Sequence, residues 1–461
     1  NLLTNIASCE RKGIEMKKIL SLILSAVLMV ECAAVSVSAD NTADYTVSES
    51  YSSSLAANDD EQLSFNDYIV EQVESFAKEI DVSEYAVANG WDSNECMAQY
   101  QNVIYANPQL FYVTANVGCT FSVKKGMYKL TKIDYTVSKK TAESMIEKFD
   151  EAVDKALECV NDSMTDVEKA LAVHDYIILN NTYDTTYSNY TAYDALVTQK
   201  SVCQGYALAY EYIMSNCLGI DCTMITSDSM NHAWNYIKID GKWYHVDLTL
   251  DDPLFTGTGE KIAKNDAMGR VLHKNFMLSD SAIKKTPTPH KGWTTNGLPK
   301  ASSKKYDKYF WKNTESGMFK VGNYWYYIQL DPNSPCLDFN STQSMDMYSL
   351  IKKYSFKTNK SSTVYKITST WYKWGKSTGL SRSWYTESYA RLAVYNGKLY
   401  FNTSDGVYSI STNGKNLKKV ASPSTTKGFV YGIRIYDNKL YCTLKQAPVD
   451  GDKNVKKYTL K

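Results

Sequence analysis

The stretch from His232 to Asp247 leaves the chain little freedom. It reads His-Ala-Trp-Asn-Tyr-Ile-Lys-Ile, then Asp240-Gly241, then Lys-Trp-Tyr-His-Val-Asp. Asp-Gly between two strand-like runs is a two-residue hairpin turn, because both turn residues must take positive φ and these two tolerate it. The turn fixes the register. Opposed residues have numbers that sum to 481, so Asp247 faces Trp234 and His232 faces Thr249. Side chains two apart share a face, which makes His232 and Asp247 diagonal neighbours, about 7–8 Å apart at the backbone. An aspartate at that distance can accept from the imidazole and fix its tautomer. His245 shares the face but opposes Tyr236, about 13 Å further along at the rise of a strand. It is the poorer candidate for a base.

Upstream lies Ser201-Val202-Cys203-Gln204-Gly205-Tyr206. Tyr206, Tyr210, Ile213, Met214 and Cys217 follow at the spacing of one helix face, and Gly219 supplies a stop. Cys203 therefore sits at a helix N-terminus, where free amides and the helix dipole stabilise a thiolate or an oxyanion. A thiol at a helix start, an imidazole and a carboxylate together meet the needs of an activated nucleophile. The blander reading is that one cysteine among eight is a small buried hydrophobe and one strand histidine is structural.

Composition narrows the rest. The chain has 461 residues, 44% hydrophobic and 22% charged, so disorder throughout is excluded and two or three domains are expected. With 51 basic and 50 acidic residues it has no excess charge to drive nucleic-acid binding. Met16-Lys17-Lys18, the apolar run Ile19–Val30 and Val37-Ser38-Ala39 read as a secretory signal peptide, too short to span a bilayer. Residues 1–15 read as sequence upstream of the start. The expectation is a secreted or cell-surface protein with no membrane span. The eight cysteines beyond residue 39 include no C-x-x-C pair and are too sparse for a disulfide scaffold.

Residues 40–62 read as a Ser/Asn/Asp/Ala linker. Helices are expected over 65–78, 94–105, 140–158 and from Thr165, which opens a capping box with Glu168. Residues 118–137 alternate like strands. Beyond about residue 300 the pattern becomes short Tyr/Trp-rich strands. Asn396-Gly397-Lys398-Leu399-Tyr400-Phe401 recurs 41 residues later as Asp437-Asn438-Lys439-Leu440-Tyr441-Cys442, with a looser copy at Gly322–Tyr327. A period near 40 suggests propeller-like blades; a small propeller, an incomplete one and another stacked β arrangement all stay open. The aromatic faces of this part could stack on cell-wall glycan, against the alternative that they pack between strands.

The motifs Val202-Cys203-Gln204-Gly205-Tyr206-Ala207, His232-Ala233-Trp234-Asn235 and Trp243–Pro253, in that order, resemble the transglutaminase-like superfamily, its secreted bacterial branch in particular. His174-Asp175-Tyr176-Ile177, Tyr183-Asp184, Asn107–Tyr112, His273–Asp280, and His290 with Trp293 carry the likeness over about 65–296. Leu250 departs from it where tryptophan is common, which implies a packing change. The resemblance implies an α+β fold: a papain/transglutaminase-like core with an N-terminal helical extension over 63–299, followed by the β-rich domain 300–461. It implies a catalytic triad of Cys203, His232 and Asp247 acting on protein or peptide amides through a thioester, with no cofactor and no metal. Hydrolysis is slightly favoured over cross-linking. The rival reading is a non-catalytic surface-binding protein that keeps the core as a scaffold. Among other residues, His174 reads as core packing, His273 and His290 as structural or pocket-lining, Asp251 and Asp252 as a turn before Pro253 in preference to a cation site, and Gln199 as a residue that could donate to an oxyanion.

Overall fold

The computed structural model describes residues 63–253, 268–295, 297–337, 344–372, 388–423, 428–445 and 454–460. The leader and the linker expected before residue 63 lie outside them. The chain divides into two compact units, one ending at Lys139 and the other beginning at Lys140. The expected break near residue 300 lies inside the second unit. No described helix is long and apolar enough to cross a membrane.

The first unit holds helices α1 (Phe65–Glu74), α2 (Ser83–Asn89) and α3 (Ser93–Ala106) with strands β1 (Ile80–Asp81), β2 (Gly118–Ser122) and β3 (Met127–Thr131). Asp92 and Glu95 form a capping box at the head of α3, satisfying amides that a helix end leaves orphaned. The strands pair antiparallel in the order β1-β3-β2. Ile69, Val73, Tyr100 and Leu130 are buried here. The strand pattern read through residue 137 stops at Thr131, and Lys132 follows at positive φ.

The second unit opens with α4 (Lys139–Leu157) and α5 (Asp166–Asn180), the latter capped by Thr165 and Glu168. Then come α6 (Cys203–Glu211) and a four-stranded antiparallel sheet, β4 (Cys222–Ser227), β5 (His232–Ile239), β6 (Lys242–Val246) and β7 (Phe276–Leu278), ordered β4-β5-β6-β7. Short helices α7 (Leu248–Asp251) and α8 (Asp280–Ile283) follow β6 and β7. The hairpin register is the one its turn dictates: Tyr236 faces His245 and Asn235 faces Val246. Asp240 and Gly241 both take positive φ, at 50° and 70°. The helix expected through Cys217 is α-helical only to Glu211. It continues as a π turn over Tyr212–Cys217, where Ser215 Oγ bonds the backbone of Cys222, and Gly219 ends it at φ 66°.

Three antiparallel sheets complete this unit. One comprises β8 (Phe319–Val321), β9 (Tyr324–Leu330), β10 (Ser344–Ser355) and β11 (Lys360–Tyr372). The next comprises β12 (Leu392–Tyr395), β13 (Lys398–Thr403), β14 (Gly406–Ser411) and β15 (Lys418–Ala421). The last comprises β16 (Phe429–Tyr436), β17 (Lys439–Lys445) and β18 (Asn454–Thr459). The 41-residue repeat marks the same feature twice, a two-residue turn entering a strand: Tyr395 pairs with Lys398 across Asn396-Gly397, and Tyr436 with Lys439 across Asp437-Asn438. The looser copy is the β8–β9 turn, where Val321 pairs with Tyr324. The sheets share cores: Ile351, Leu399 and Ile410 in one cluster, Tyr400, Val430 and Leu440 in another. This is a stacked β arrangement, and no closed barrel or propeller is formed among the described residues. Among its described aromatics, Trp325 and Trp371 are buried and Tyr324 is exposed.

The β part is tied to the helical part by buried polar contacts. Trp325 Nε1 donates to Glu168 Oε1 at 2.7 Å, Lys320 pairs with the same oxygen at 3.0 Å, and Met318 N donates to Asp175 Oδ2 at 2.7 Å. Glu168 thus caps α5 and receives the β part with one carboxylate.

Candidate active site

Cys203 is the first residue of α6, preceded by Val202 in extended conformation. Its thiol is partly exposed. Gly205, one turn in, has no room for a side chain: a Cβ there would sit 2.5 Å from Ser201 Cβ and 3.0 Å from the Thr191 carbonyl. The close approach packs the head of α6 against the 191–201 segment. Asn235 Nδ2 donates to Ala207 O at 2.9 Å, which fastens β5 to α6.

His232 begins β5, directly after Asn231 at φ 48°. Its ring stacks on Trp234, centroids 5.6 Å apart, and Cys203 is close enough to favour the protonated imidazole. Its Nε2 lies 2.7 Å from Asp247 Oδ2. With Nε2 engaged by the carboxylate, Nδ1 is the nitrogen left for the thiol. Asp247 is not in the return strand, as the alternation implied. Pairing of β6 with β5 ends at Val246, and Asp247 turns out of the sheet to cap α7, Oδ1 accepting from Leu250 N at 3.0 Å. The cap fixes one carboxylate oxygen and presents the other to His232. The structure therefore brings His232 and Asp247 into contact, with Cys203 near enough to influence the imidazole.

The electrostatics follow from the burial. Loss of water would push the His232 imidazole down; the Asp247 carboxylate and the bonds to Asp247 and Cys203 outweigh it and raise the ring to about 10. Asp247 is buried, which would push its carboxyl up, but His232 and then His290 hold it well below the usual range. Asp247 and Cys203 thus both favour the protonated form of His232.

His245 is committed elsewhere. Trp234 Nε1 donates to its Nδ1 at 3.0 Å, and its Nε2 meets Asp280 Oδ1 at 2.9 Å. Burial pushes its ring down. Gln199 sits at positive φ at the end of the 194–198 π turn, and no oxyanion role follows from that placement.

His290, read from the sequence as structural or pocket-lining, contacts Asp247. Its Nε2 lies 2.7 Å from Asp247 Oδ2, the same oxygen that serves His232. No spacing rule joins residue 290 to residue 247; the signal was only that a histidine stood near Trp293. His174 is buried, as expected, but in ionic rather than apolar surroundings. Its ring lies between Asp175 Oδ1 at 2.8 Å and Asp251 Oδ2 at 3.3 Å, and His273 Nε2 also reaches Asp175 Oδ1, at 2.9 Å. Asp251 ends the helix that Asp247 begins, and accepts from Asn275 N at 2.9 Å. Asp252 takes the Tyr206 hydroxyl, and burial pushes its carboxyl up to about 7. The Asp251-Asp252 pair is thus an anchor for α7, not merely a turn.

Two groups have donor atoms close enough to hold a metal: His174, Asp175 and His273, and His232, Asp247 and His290. Their N···O separations of 2.7–2.9 Å are hydrogen-bond lengths, so each group shares protons as it stands.

Residues 154–248 match the family model described as the transglutaminase-like superfamily. The human kyphoscoliosis peptidase is 28% identical over a match covering 28% of this chain and 21% of that protein, so the chain spans about a fifth of the relative's length. A solved structure titled "Crystal structure of a TGase" is 16% identical, covers 37% of this chain and 50% of its own, and superposes with a TM-score of 0.22, a likeness too slight to argue from. The match over 154–248 spans α5, α6, the β5–β6 hairpin and Asp247: this chain carries a transglutaminase-like domain, of the superfamily that contains thiol acyltransferases and cysteine peptidases.

Proposed function

We propose that the protein is an exported thiol acyl-transfer enzyme acting on protein or peptide amide bonds, with Cys203 as nucleophile, His232 as acid and base, and Asp247 as the group that orients His232. The observation that carries this is His232, electrostatically coupled to Cys203 at the α6 head and 2.7 Å from a carboxylate fixed by its own helix cap. The sulfur attacks the carbonyl carbon. The developing oxyanion is met by amides at the start of α6. His232 gives its proton to the departing amine, and the acyl group stays on sulfur as a thioester. An incoming water then gives a proton to His232, its oxygen bonds the acyl carbon, and the C–S bond breaks, restoring the pair. Hydrolysis is the reading favoured here, because the curated relative bears the name of a peptidase. Export rests on the leader at 16–39.

The test is mass spectrometry of peptide pools incubated with the full chain, with and without a primary amine. The expected result is cut or deamidated peptides that do not require the amine. Amine adducts as the main product would move the assignment to cross-linking. No product in either pool would leave the chain a binding scaffold.

A further inference from the structure

The His232–Asp247 contact has a third member. Asp247 Oδ2 faces two imidazoles at 2.7 Å each, and the His232 and His290 rings have centroids 6.0 Å apart. His290 is fixed on every side. Its ring meets the edge of Trp234 at 4.8 Å, its backbone N donates to Ile283 O, and the next carbonyl, that of Lys291, accepts from Ser227 Oγ at 2.6 Å. The side chain is buried, and its Nδ1 has no hydrogen-bond partner among the described residues. The ring therefore meets the carboxylate through Nε2 alone.

We propose that His290 is a positioning residue of the nucleophilic centre, holding Asp247 by the oxygen that His232 also uses and so setting how strongly that carboxylate grips the His232 proton. This rests on the functional reading above. A carboxylate with a second donor on the same oxygen is a weaker acceptor toward the first. His290 also stops the carboxylate from turning about the axis that the Leu250 bond leaves free. The ionisable groups around the set are Cys203 from α6, Asp247 from the head of α7, His245 from β6, and His232 itself from β5. His245 is held by Trp234 and Asp280, so it does not compete for Asp247.

The experiment is an imidazole ¹⁵N titration of His232 in the full chain, alongside the iodoacetamide rate of Cys203 at each pH, in wild type, His290→Phe and His290→Gln. Phenylalanine keeps a flat ring and removes the donor; glutamine restores an N–H. In His290→Phe the expected result is that His232 loses its proton at least about half a pH unit higher than in wild type. His290→Gln is expected to recover most of that shift. Should His290→Phe not fold, His290→Asn, whose amide is too short to reach Oδ2, takes its place. A His232 titration that is unmoved by any of these variants would overturn the proposal, as would equal shifts in the Phe and Gln variants. If wild-type Cys203 reacts no faster than the other thiols, the functional reading itself fails, and that outcome is separate from a null effect at His290.

Discussion

Cys203→Ala is expected to lower product formation from the peptide pools by at least about 10³-fold, with no change in the fold. The sulfur is the only atom in the arrangement that can carry the acyl group. Without it, His232 and the α6 amides are left to activate water alone, a weak residual route. Folding is expected to survive because the thiol is partly exposed and alanine is a good helix former at the head of α6. Equal urea midpoints for the two proteins would show that chemistry, not structure, was removed. Product formation within tenfold of wild type would reject Cys203 as the nucleophile.

Asp247→Asn is the second large effect. Three N–H donors converge on this side chain: His232, His290 and Leu250. An asparagine offers one acceptor oxygen and one amide nitrogen, so at least one donor meets a donor. His232 must then turn or change tautomer, and Nδ1 no longer faces the sulfur in the right state. A loss of about 10³-fold in kcat follows, roughly 4 kcal/mol of transition-state stabilisation. The pH dependence separates this from simple misfolding. In wild type His232 is held up to about 10, against the pull of burial, chiefly by Asp247. Acid catalysis by the imidazolium is therefore expected to persist to high pH and to fall as pH rises through about 10. In the asparagine variant the fall is expected at or below the usual histidine range of about 6.5. The stability sign is the same. A histidine raised in the folded state contributes stability that is complete below its unfolded value, about 6.5, and is lost as pH rises through about 10. The difference in urea midpoint between wild type and Asp247→Asn is thus expected to be larger at pH 6 than above pH 10. An unchanged rate–pH profile in the variant would contradict the role given to Asp247.

How much of this was written in the chain can be judged residue by residue. The hairpin was legible because Asp240-Gly241 allows essentially one turn, and a turn of two residues allows one register; Tyr236 does face His245. The α6 head was legible because Tyr206, Tyr210 and Ile213 keep helical spacing behind Cys203. What local pattern could not give was the exit of the chain from β6. Alternation continued through Asp247, but a side chain able to cap a helix competes with a strand ladder for the backbone, and here the cap wins. Nor could it give His290, which arrives from 43 residues away along a segment without periodicity. The ionic surroundings of His174 were hidden for a related reason. Leu171 and Ile178 share its helix face, yet its ring bonds the neighbouring Asp175 and the distant Asp251, and Asp175 in turn takes His273 from a third segment. In the β part the repeat pointed to real turns, but a repeat of turns fixes hairpins and not the closure of sheets into a ring.

The central claim is that one thiol of eight has been set apart by its neighbours. Burial pushes the Cys96 thiol to about 12 and the Cys442 thiol to about 11, and raises Cys222 and Cys336 as well. Cys203 opens a helix and is coupled to His232. The direct measurement is the iodoacetamide labelling rate of each cysteine in the native chain at pH 7, read by peptide mass spectrometry. Cys203 is expected to label at least about tenfold faster than any of the other seven, and to lose that lead in His232→Ala. Labelling of Cys203 at the pace of the other partly exposed cysteines, Cys119 and Cys217, would contradict the account.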